Sequence, residues 1–217
     1  MLRKCTVQFV VMLVVSAAVA RAGEGRETRW SGTASLFGGN SPVLNPVAGP
    51  TYGTTAQDLV GARYQLNVPV GRGHHWTASP GVSYGYGHYK NASTSGTSSS
   101  KIETTASMYE AMLDILYYND CCDDDDFYCG PGLFYSSTRL KQMATGLKDS
   151  TSDPFNTFGV QMTVGGGIPI GTKFELTGGL TERLGMTSYD EKSTGFEDKL
   201  SAITFSTQLS GGLRVRF

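Results

Sequence analysis

The sequence predicts an all-β fold, an eight-stranded antiparallel up-and-down β-barrel, and three observations lead to it. Side chains alternate between apolar and polar along many segments, these segments are longer than the strands of ordinary soluble proteins, and their connections alternate between short and long. The composition agrees with this fold. Only 17% of the residues are charged and 28 of 217 are glycine, whereas soluble domains contain about 25% charged residues and about 7% glycine.

The last segment shows the alternation most clearly. Its apolar residues share one parity, and polar or basic residues occupy the other. The apolar set is Ile203, Phe205, Leu209, Leu213, Val215 and Phe217. Because successive side chains of a strand point to opposite faces, one face of this strand is apolar. The run exceeds the roughly five or six residues of a soluble strand and suffices for a tilted strand to cross a bilayer, which needs about 9–11 residues.

The same alternation predicts seven more strands upstream. Five are well marked, and the segments 30–39 and 127–140 are weaker. The well-marked ones are 60–70, 76–87, 108–117, 158–168 and 174–183. Four prolines lie inside or at the ends of these segments and predict local bulges, because proline cannot donate to the hydrogen-bond ladder. They are Pro69, Pro80, Pro131 and Pro169.

The connections predict that the barrel crosses an outer membrane. Such barrels have short periplasmic turns and longer extracellular loops. Short connections fall at 71–75 and at Gly171-Thr172, and an acidic one of middling length spans 119–126. The long ones, which we expect to face the outside, are 40–57, 90–101, 141–156 and 187–200. Because loops on a rigid scaffold usually carry binding, a surface or host ligand is expected at these four loops.

Aromatic residues cluster at the two predicted ends of the strands. Rings that are apolar on one side and polar on the other favour the membrane interfaces, so two belts are expected. The periplasmic belt would contain Trp30, Trp76, Tyr117, Tyr118, Phe127, Tyr128, Phe174 and Phe217. The outer belt would contain Tyr84, Tyr86, Tyr89, Tyr135, Phe155 and Phe158.

The first 22 residues have the layout of a secretory signal peptide. Arg3 and Lys4 precede an apolar run at 7–19, and Ala20-Arg21-Ala22 fits a small-residue cleavage site. The apolar run is shorter than the roughly 20 residues of a membrane-spanning helix. We therefore expect export with cleavage after Ala22, a barrel over residues 23–217, and localisation in the outer membrane.

The chain resembles the small outer-membrane β-barrels of Gram-negative bacteria, the eight-stranded group with OmpA-, OmpX- and opacity-type proteins. The ending Gly211-Gly212-Leu213-Arg214-Val215-Arg216-Phe217 is similar to the closing strand of that family. The glycine-rich segment 127–136 is similar to a middle strand, and 158–169 is a weaker echo. The resemblance implies that the last strand is read by the barrel-assembly machinery through Leu209, Leu213, Val215 and Phe217. Cysteines in the barrel depart from the family pattern.

The inward-facing parity carries seven charges that nearly balance. They are Arg63, Glu110, Asp114, Glu175, Arg183, Arg214 and Arg216. Charges removed from water need partners, and the interior of an eight-stranded barrel is just wide enough to be filled by side chains. The sequence therefore predicts a packed polar lumen rather than a pore for metabolites.

The cysteines predict a disulfide rather than a metal site. Cys129 is expected to pair with Cys121 or Cys122, because the exported compartment is oxidising and adjacent cysteines chelate zinc poorly. The acidic run 123–126 lacks the glycine and bidentate glutamate of an EF-hand loop and is expected to be a solvated turn.

Catalytic groups are scarce. The histidines are His74, His75 and His88, and no motif places a serine and an acid around His88 as a lipid-hydrolysing site requires. No catalytic residue, cofactor or metal is expected. The net charge of −1 also argues against a nucleic-acid partner.

The expected function is a structural or surface-interaction role, in adhesion or envelope integrity, with outer-membrane lipid as the surrounding partner. The alternatives are a narrow channel and a lipid-modifying outer-membrane enzyme.

Overall fold

The protein is a closed antiparallel β-barrel of eight long strands. The computed structural model describes residues 30–44, 54–70, 75–95, 98–119, 126–144, 150–151, 154–190 and 199–217. The strands are β1 (Ser31–Leu44), β2 (Thr54–Val70), β3 (Trp76–Ser95), β4 (Ser98–Asn119), β5 (Asp126–Ala144), the two-residue β6 (Ser150–Thr151), β7 (Phe155–Ile170), β8 (Phe174–Asp190) and β9 (Lys199–Arg216). No described residue belongs to a helix that could span a membrane.

Each long strand pairs with its neighbours along the chain, and β9 returns to pair with β1. That closing ladder runs from Ser31, opposite Arg216, to Gly39, opposite Gln208. The short β6 pairs with the upper part of β5. The prediction of an eight-stranded up-and-down barrel, with both weakly marked segments as strands, is confirmed.

The two ends of the barrel differ. The turn end contains Trp30, Phe217 and the connections after β2, β4 and β7; the loop end contains the connections after β1, β3, β5 and β8. Gly171 has φ of 74° in the tight turn after β7, a left-handed conformation in which glycine is unstrained. At the turn end the backbone N–H of Phe217 donates to the carbonyl of Trp30 over 2.9 Å.

Alternation along the strands matches the sequence prediction. Apolar side chains of one parity point outward, as for Leu36 and Phe205, which are 72% and 71% exposed. Polar side chains of the other parity point inward, as for Arg63 and Glu175, which are 4% and 0% exposed. The barrel therefore has an apolar outer wall and a largely polar interior.

Two of the four prolines interrupt the ladder, although neither adds a residue to its strand. Pairing of β2 with β3 skips the positions around Pro80, and pairing of β4 with β5 skips those around Pro131, but the register is the same on both sides of each gap. Pro69 and Pro169 remain within continuous pairing. The predicted bulges are thus wrong at these positions: the missing N–H removes ladder bonds without a shift of register.

The strands extend further at the loop end than the sequence predicted. Most of the predicted loop 90–101 is a regular antiparallel ladder from Lys90, opposite Glu103, to Ser95, opposite Ser98. The other three predicted loops, 40–57, 141–156 and 187–200, are likewise shortened at one or both ends by strand residues. The boundaries were missed because Ser/Thr-rich strand ends lack the apolar alternation that marks a strand in sequence.

Not all aromatic residues of the two predicted belts point outward. Trp76, Phe127, Phe174 and Tyr135 are exposed on the outside as expected. Tyr128 and Phe155 are instead buried in the lumen, at 8% and 2% exposure, and Tyr118 also points inward. These three residues have inward parity, which a search for aromatic clusters at strand ends overlooks.

Candidate functional site: the filled lumen and the outer wall

The structure divides the seven predicted lumen charges into two clusters. The upper cluster, nearer the loop end, is Arg63, Glu110 and Arg183, with Asp114 below it. The lower cluster, at the turn end, is Glu175, Arg214 and Arg216. Each charge lies on a strand whose alternation directs it inward, so the barrel brings together residues that are far apart in sequence, such as Arg63 and Gln208, which are 145 positions apart.

Glu110 is the centre of the upper cluster. Its side chain is fully buried, and the Arg183 guanidinium donates to both carboxylate oxygens over 2.5 and 2.8 Å. Ser83 donates a third hydrogen bond over 3.0 Å, and Arg63 Nη2 lies 4.0 Å from Oε1. Arg63 also donates to Gln208 Oε1. A carboxylate with this many donors is satisfied inside the barrel, where an unpaired charge would be costly.

Two aromatic rings complete the surroundings of the upper cluster. The Arg63 guanidinium carbon lies 5.3 Å from the centre of the Phe37 ring, and that of Arg183 lies 4.9 Å from the Phe134 ring. Both distances suit cation–π attraction, which is stronger at desolvated sites. The rings thus fill volume and stabilise the cations at the same time.

Asp114 is held by amides rather than by direct ion pairs. Gln161 Nε2 donates to Oδ1 over 2.5 Å and Gln65 Nε2 donates to Oδ2 over 2.9 Å. Gly132 lies opposite on β5, and a Cβ there would meet Asp114 Oδ1 at 2.0 Å. The absence of a side chain at position 132 therefore makes room for this carboxylate.

The lower cluster closes the lumen near the turn end. Arg214 Nη1 donates to Glu175 Oε1 over 2.8 Å, and Arg216 Nη2 donates to Oε2 over 2.7 Å. Arg214 also donates to the Tyr118 hydroxyl over 3.0 Å and lies 5.3 Å from the centre of the Tyr128 ring. Glu175 is thus held on both oxygens, and two tyrosines fill the space beside it.

An apolar cluster occupies the lumen at the loop end, above the ion pairs. It is buried to 4% exposure or less and comprises Phe37, Leu59, Ala106, Met108, Leu140 and Phe155. This corrects the prediction of a purely polar lumen. Apart from Met108, which begins the segment 108–117, these residues lie outside the well-marked alternating segments of the sequence. We call this cluster the apolar seal.

Glu182 and Thr207 form a polar pair on the outer wall among apolar neighbours. Glu182 lies on outward parity, and the Thr207 hydroxyl on β9 is within 3.1 and 2.9 Å of its two carboxylate oxygens. Leu180 and Leu184, two positions below and above Glu182, are exposed apolar residues. This carboxylate was not singled out in sequence, although its place in an apolar register could have identified it.

The assembly segment has its apolar side chains outward. Leu209, Leu213 and Phe217 are 65%, 40% and 45% exposed, and Val215 is half-buried on the same parity. Their recognition by the assembly machinery stays a prediction.

Cys129 has a free thiol among the described residues, and its pairing with Cys121 or Cys122 stays a prediction. Its position between inward Tyr128 and inward Gly130 directs it to the outer wall. Cys121 and Cys122 lie outside the described residues.

The histidines and other candidate groups do not form a reactive constellation in the described part of the chain. His88 is exposed on outward parity, and His75 contacts Tyr117, with ring centres 5.8 Å apart. His74 lies outside the described residues. No group of three or more His, Cys, Asp or Glu side chains suited to a metal ion occurs in the strands described above. The lumen charges nearly balance, with four arginines and three carboxylates.

Several polar lumen residues were not predicted. Ser83, Gln65, Gln161 and Gln208 complete the hydrogen bonding of the charged groups. All four have inward parity, so alternation could have found them as a class. Which charge each one contacts depends on strand register, which the sequence pattern leaves open.

Comparison with solved structures gives the same architecture. The chain resembles outer membrane protein OprG from Pseudomonas aeruginosa with a TM-score of 0.52 at 10% identity, over 89% of this chain and 98% of that one. It resembles outer membrane protein AlkL, solved in lipid bilayers, with a TM-score of 0.50 at 12% identity, over 88% and 91%. Neisserial surface protein A aligns at 17% identity over 87% and 97%, with a TM-score of 0.49.

No protein-family model matches the sequence, and no curated protein matches it. The likeness to known proteins is therefore one of fold. A closed ring of eight antiparallel strands, an apolar outer wall and a filled interior together give this chain the fold of the small eight-stranded outer-membrane β-barrel proteins.

Proposed function

We propose that the protein is exported to the outer membrane, spans it as a closed barrel, and acts through its loop end in surface interaction or envelope integrity. The observation that carries this proposal is the lumen, which is filled by paired charges and closed above them by the apolar seal. A barrel with such an interior supplies a rigid scaffold. The surface that interacts with partners is then the loop end, which projects out of the membrane.

The outer wall supports the membrane location. Large apolar side chains cover it around the ring, among them Leu36, Phe205, Ile203 and Leu209, each at least 65% exposed. A soluble protein rarely exposes a continuous apolar surface of this size, whereas lipid-facing strands require it. Exposed Trp76 and Tyr117 at the turn end, with ring centres 5.1 Å apart, suit an interface between lipid and water.

The proposal includes two further partners, the barrel-assembly machinery and outer-membrane lipid. The segment 1–22 directs export and is removed, and the barrel-assembly machinery reads the last strand through its outward apolar residues, ending at Phe217. The export signal rests on the sequence of residues 1–22, and the reading of the last strand rests on the family resemblance. Outer-membrane lipid surrounds the wall.

The lumen favours a closed barrel over a narrow channel. An ion that followed the axis would have to pass the apolar seal and then displace Arg183 from Glu110, which would leave buried charges unpaired. That cost is several kcal/mol per charge. We also propose that the protein is not an enzyme, since the buried carboxylates Glu110, Asp114 and Glu175 each accept hydrogen bonds from fixed donors.

Conductance across a planar lipid bilayer tests the closed-lumen proposal. The folded full-length barrel is expected to leave the bilayer at its baseline current, and a variant that opens the seal, Phe37→Ala with Phe155→Ala, is expected to show brief openings. The matched control, Phe158→Ala, removes a ring from the outer wall and should stay silent. Steady single-channel currents from the unmodified protein would establish the channel alternative instead.

A further inference from the structure

The tip of the β1–β2 hairpin is separated from both of its neighbours in the barrel wall. Residues 40–44 of β1 pair with 54–58 of β2. Pairing of β2 with β3 nevertheless ends at Val60, opposite Tyr86, while β3 continues with β4 up to Ser95. Among the described residues, Thr54–Leu59 and Gly87–Ala92 therefore form two strand edges that face the same gap without pairing across it. We call this gap the β2–β3 seam.

An unpaired strand edge presents a row of backbone N–H and C=O groups that an extended chain can satisfy. Natural proteins usually protect such edges with proline, bulges or several charges. Neither edge of the seam contains proline, and each ladder that holds it, β1–β2 and β3–β4, is regular. The seam residues include one acidic side chain, Asp58, and one lysine, Lys90. Backbone pairing is therefore available along both edges, with little charge to repel a strand.

The inner side of the seam favours apolar side chains in a bound strand. Leu59, Gly87 and Ala106 are all buried at its base, and Gly87 lies opposite Ala106 on β4. Leu59 and Ala106 also belong to the apolar seal. A strand placed in the seam would direct every second side chain to this inner side and the others to the outside. Leu59 and Ala106 make this inner side apolar.

We propose that the β2–β3 seam binds an extended polypeptide segment by strand addition, and that the bound segment alternates apolar residues toward the seal with polar residues outward. Backbone hydrogen bonds supply the affinity in this mode of recognition, and alternate side chains supply the selectivity. The inference rests on the proposed function in one respect, namely that the loop end is the working surface.

The probe for this proposal is a short synthetic peptide that alternates valine and threonine, with terminal lysines for solubility and a fluorescent label. The protein is the full chain folded into phosphatidylcholine vesicles. Fluorescence anisotropy should show saturable binding. The matched control is the same peptide with N-methyl groups on alternate amides, which removes hydrogen-bond donors without changing the side chains. We expect it to bind at least about tenfold more weakly, since a few hydrogen bonds of about 1 kcal/mol each are lost.

Amide hydrogen exchange locates the bound peptide. Exchange at Thr54–Leu59 and Gly87–Ala92 should slow by about tenfold or more when the peptide is bound. Exchange at Thr104–Ala106, where β4 is already paired on both sides, should not change. Protection confined to other segments would overturn the assignment to the seam.

A substitution on the inner side of the seam tests whether the bound peptide directs side chains there. Gly87→Leu places a bulky side chain on the inner side of the seam, opposite Ala106, and should weaken peptide binding about tenfold or more, whereas Gly178→Leu on the open outer wall should leave it unchanged. Equal binding by the N-methylated peptide, or no binding at about 1 mM, would contradict the proposal whether or not Gly87→Leu folds. Failure of the unmodified barrel to bind the peptide, while it still passes no current, would overturn this inference alone and leave the closed-lumen proposal intact.

Discussion

Glu110→Ala should lower the free energy of unfolding in lipid vesicles by about 3–5 kcal/mol, the usual cost of removing one partner from a buried ion pair. Arg183 would lose both of its hydrogen bonds to the carboxylate, and Arg63 would lose the nearest negative charge. Two cations would then share a buried site between Phe37 and Phe134. Urea titration followed by the fluorescence of Trp30 and Trp76 measures this change.

Glu182→Ala is the matched control for that prediction. Its carboxylate lies on the outer wall and accepts hydrogen bonds from the Thr207 hydroxyl, so we expect a change within about 1 kcal/mol. An unfolding free energy for Glu110→Ala that equals the value for Glu182→Ala would show that the upper cluster does not stabilise the barrel.

Gly130→Ala should destabilise the barrel by about 3 kcal/mol, at the upper end of the cost of overpacking. A Cβ at this position would lie 1.9 Å from the carbonyl oxygen of Ile115, a backbone atom that no side-chain rotation can move. The site lies beside Pro131, where the β4–β5 ladder is already interrupted. Either strand would have to shift, and the neighbouring pairs on both sides of the gap would be strained.

Gly178→Ala provides the comparison. The nearest atom to its Cβ would be the Ser210 carbonyl oxygen at 3.9 Å, which is ordinary contact, so we expect a change of about 0.5 kcal/mol or less in the same urea titration. Similar effects of the two substitutions would mean that glycine acts through backbone entropy at both sites and not through the close approach at position 130.

Alternation explains why so much of the barrel could be predicted. From Ile203 to Phe217, every apolar side chain of one parity faces outward, and Arg214 and Gln208 on the other parity are buried. The apolar wall imposes this pattern wherever a strand faces lipid, so strand identity and direction of each side chain follow from the sequence. The same pattern predicts that the seven charged side chains point into the lumen.

The pattern is uninformative where it stops. Above the outer aromatic residues the strands leave the region that demands an apolar face. The segment from Lys90 to Ser95 therefore has no alternation, and the sequence predicts a loop where the structure has a ladder. Inside the lumen, parity predicts that a side chain points inward but does not identify the residue that it contacts. The pairing of Glu110 with Arg183, 73 positions away, depends on the register of four strands, β4, β5, β7 and β8. The apolar seal was missed for the same reason as the long strands.

The most direct test of a closed barrel in a membrane is an SDS gel of the protein folded into detergent micelles, with unboiled and boiled samples side by side. A barrel whose ladder closes between Ser31 and Arg216 has no exposed edge along its lower half and should resist SDS at room temperature. We therefore expect the unboiled protein to migrate at a different position from the boiled one. Identical migration, together with solubility of the folded protein in the absence of detergent, would contradict the account.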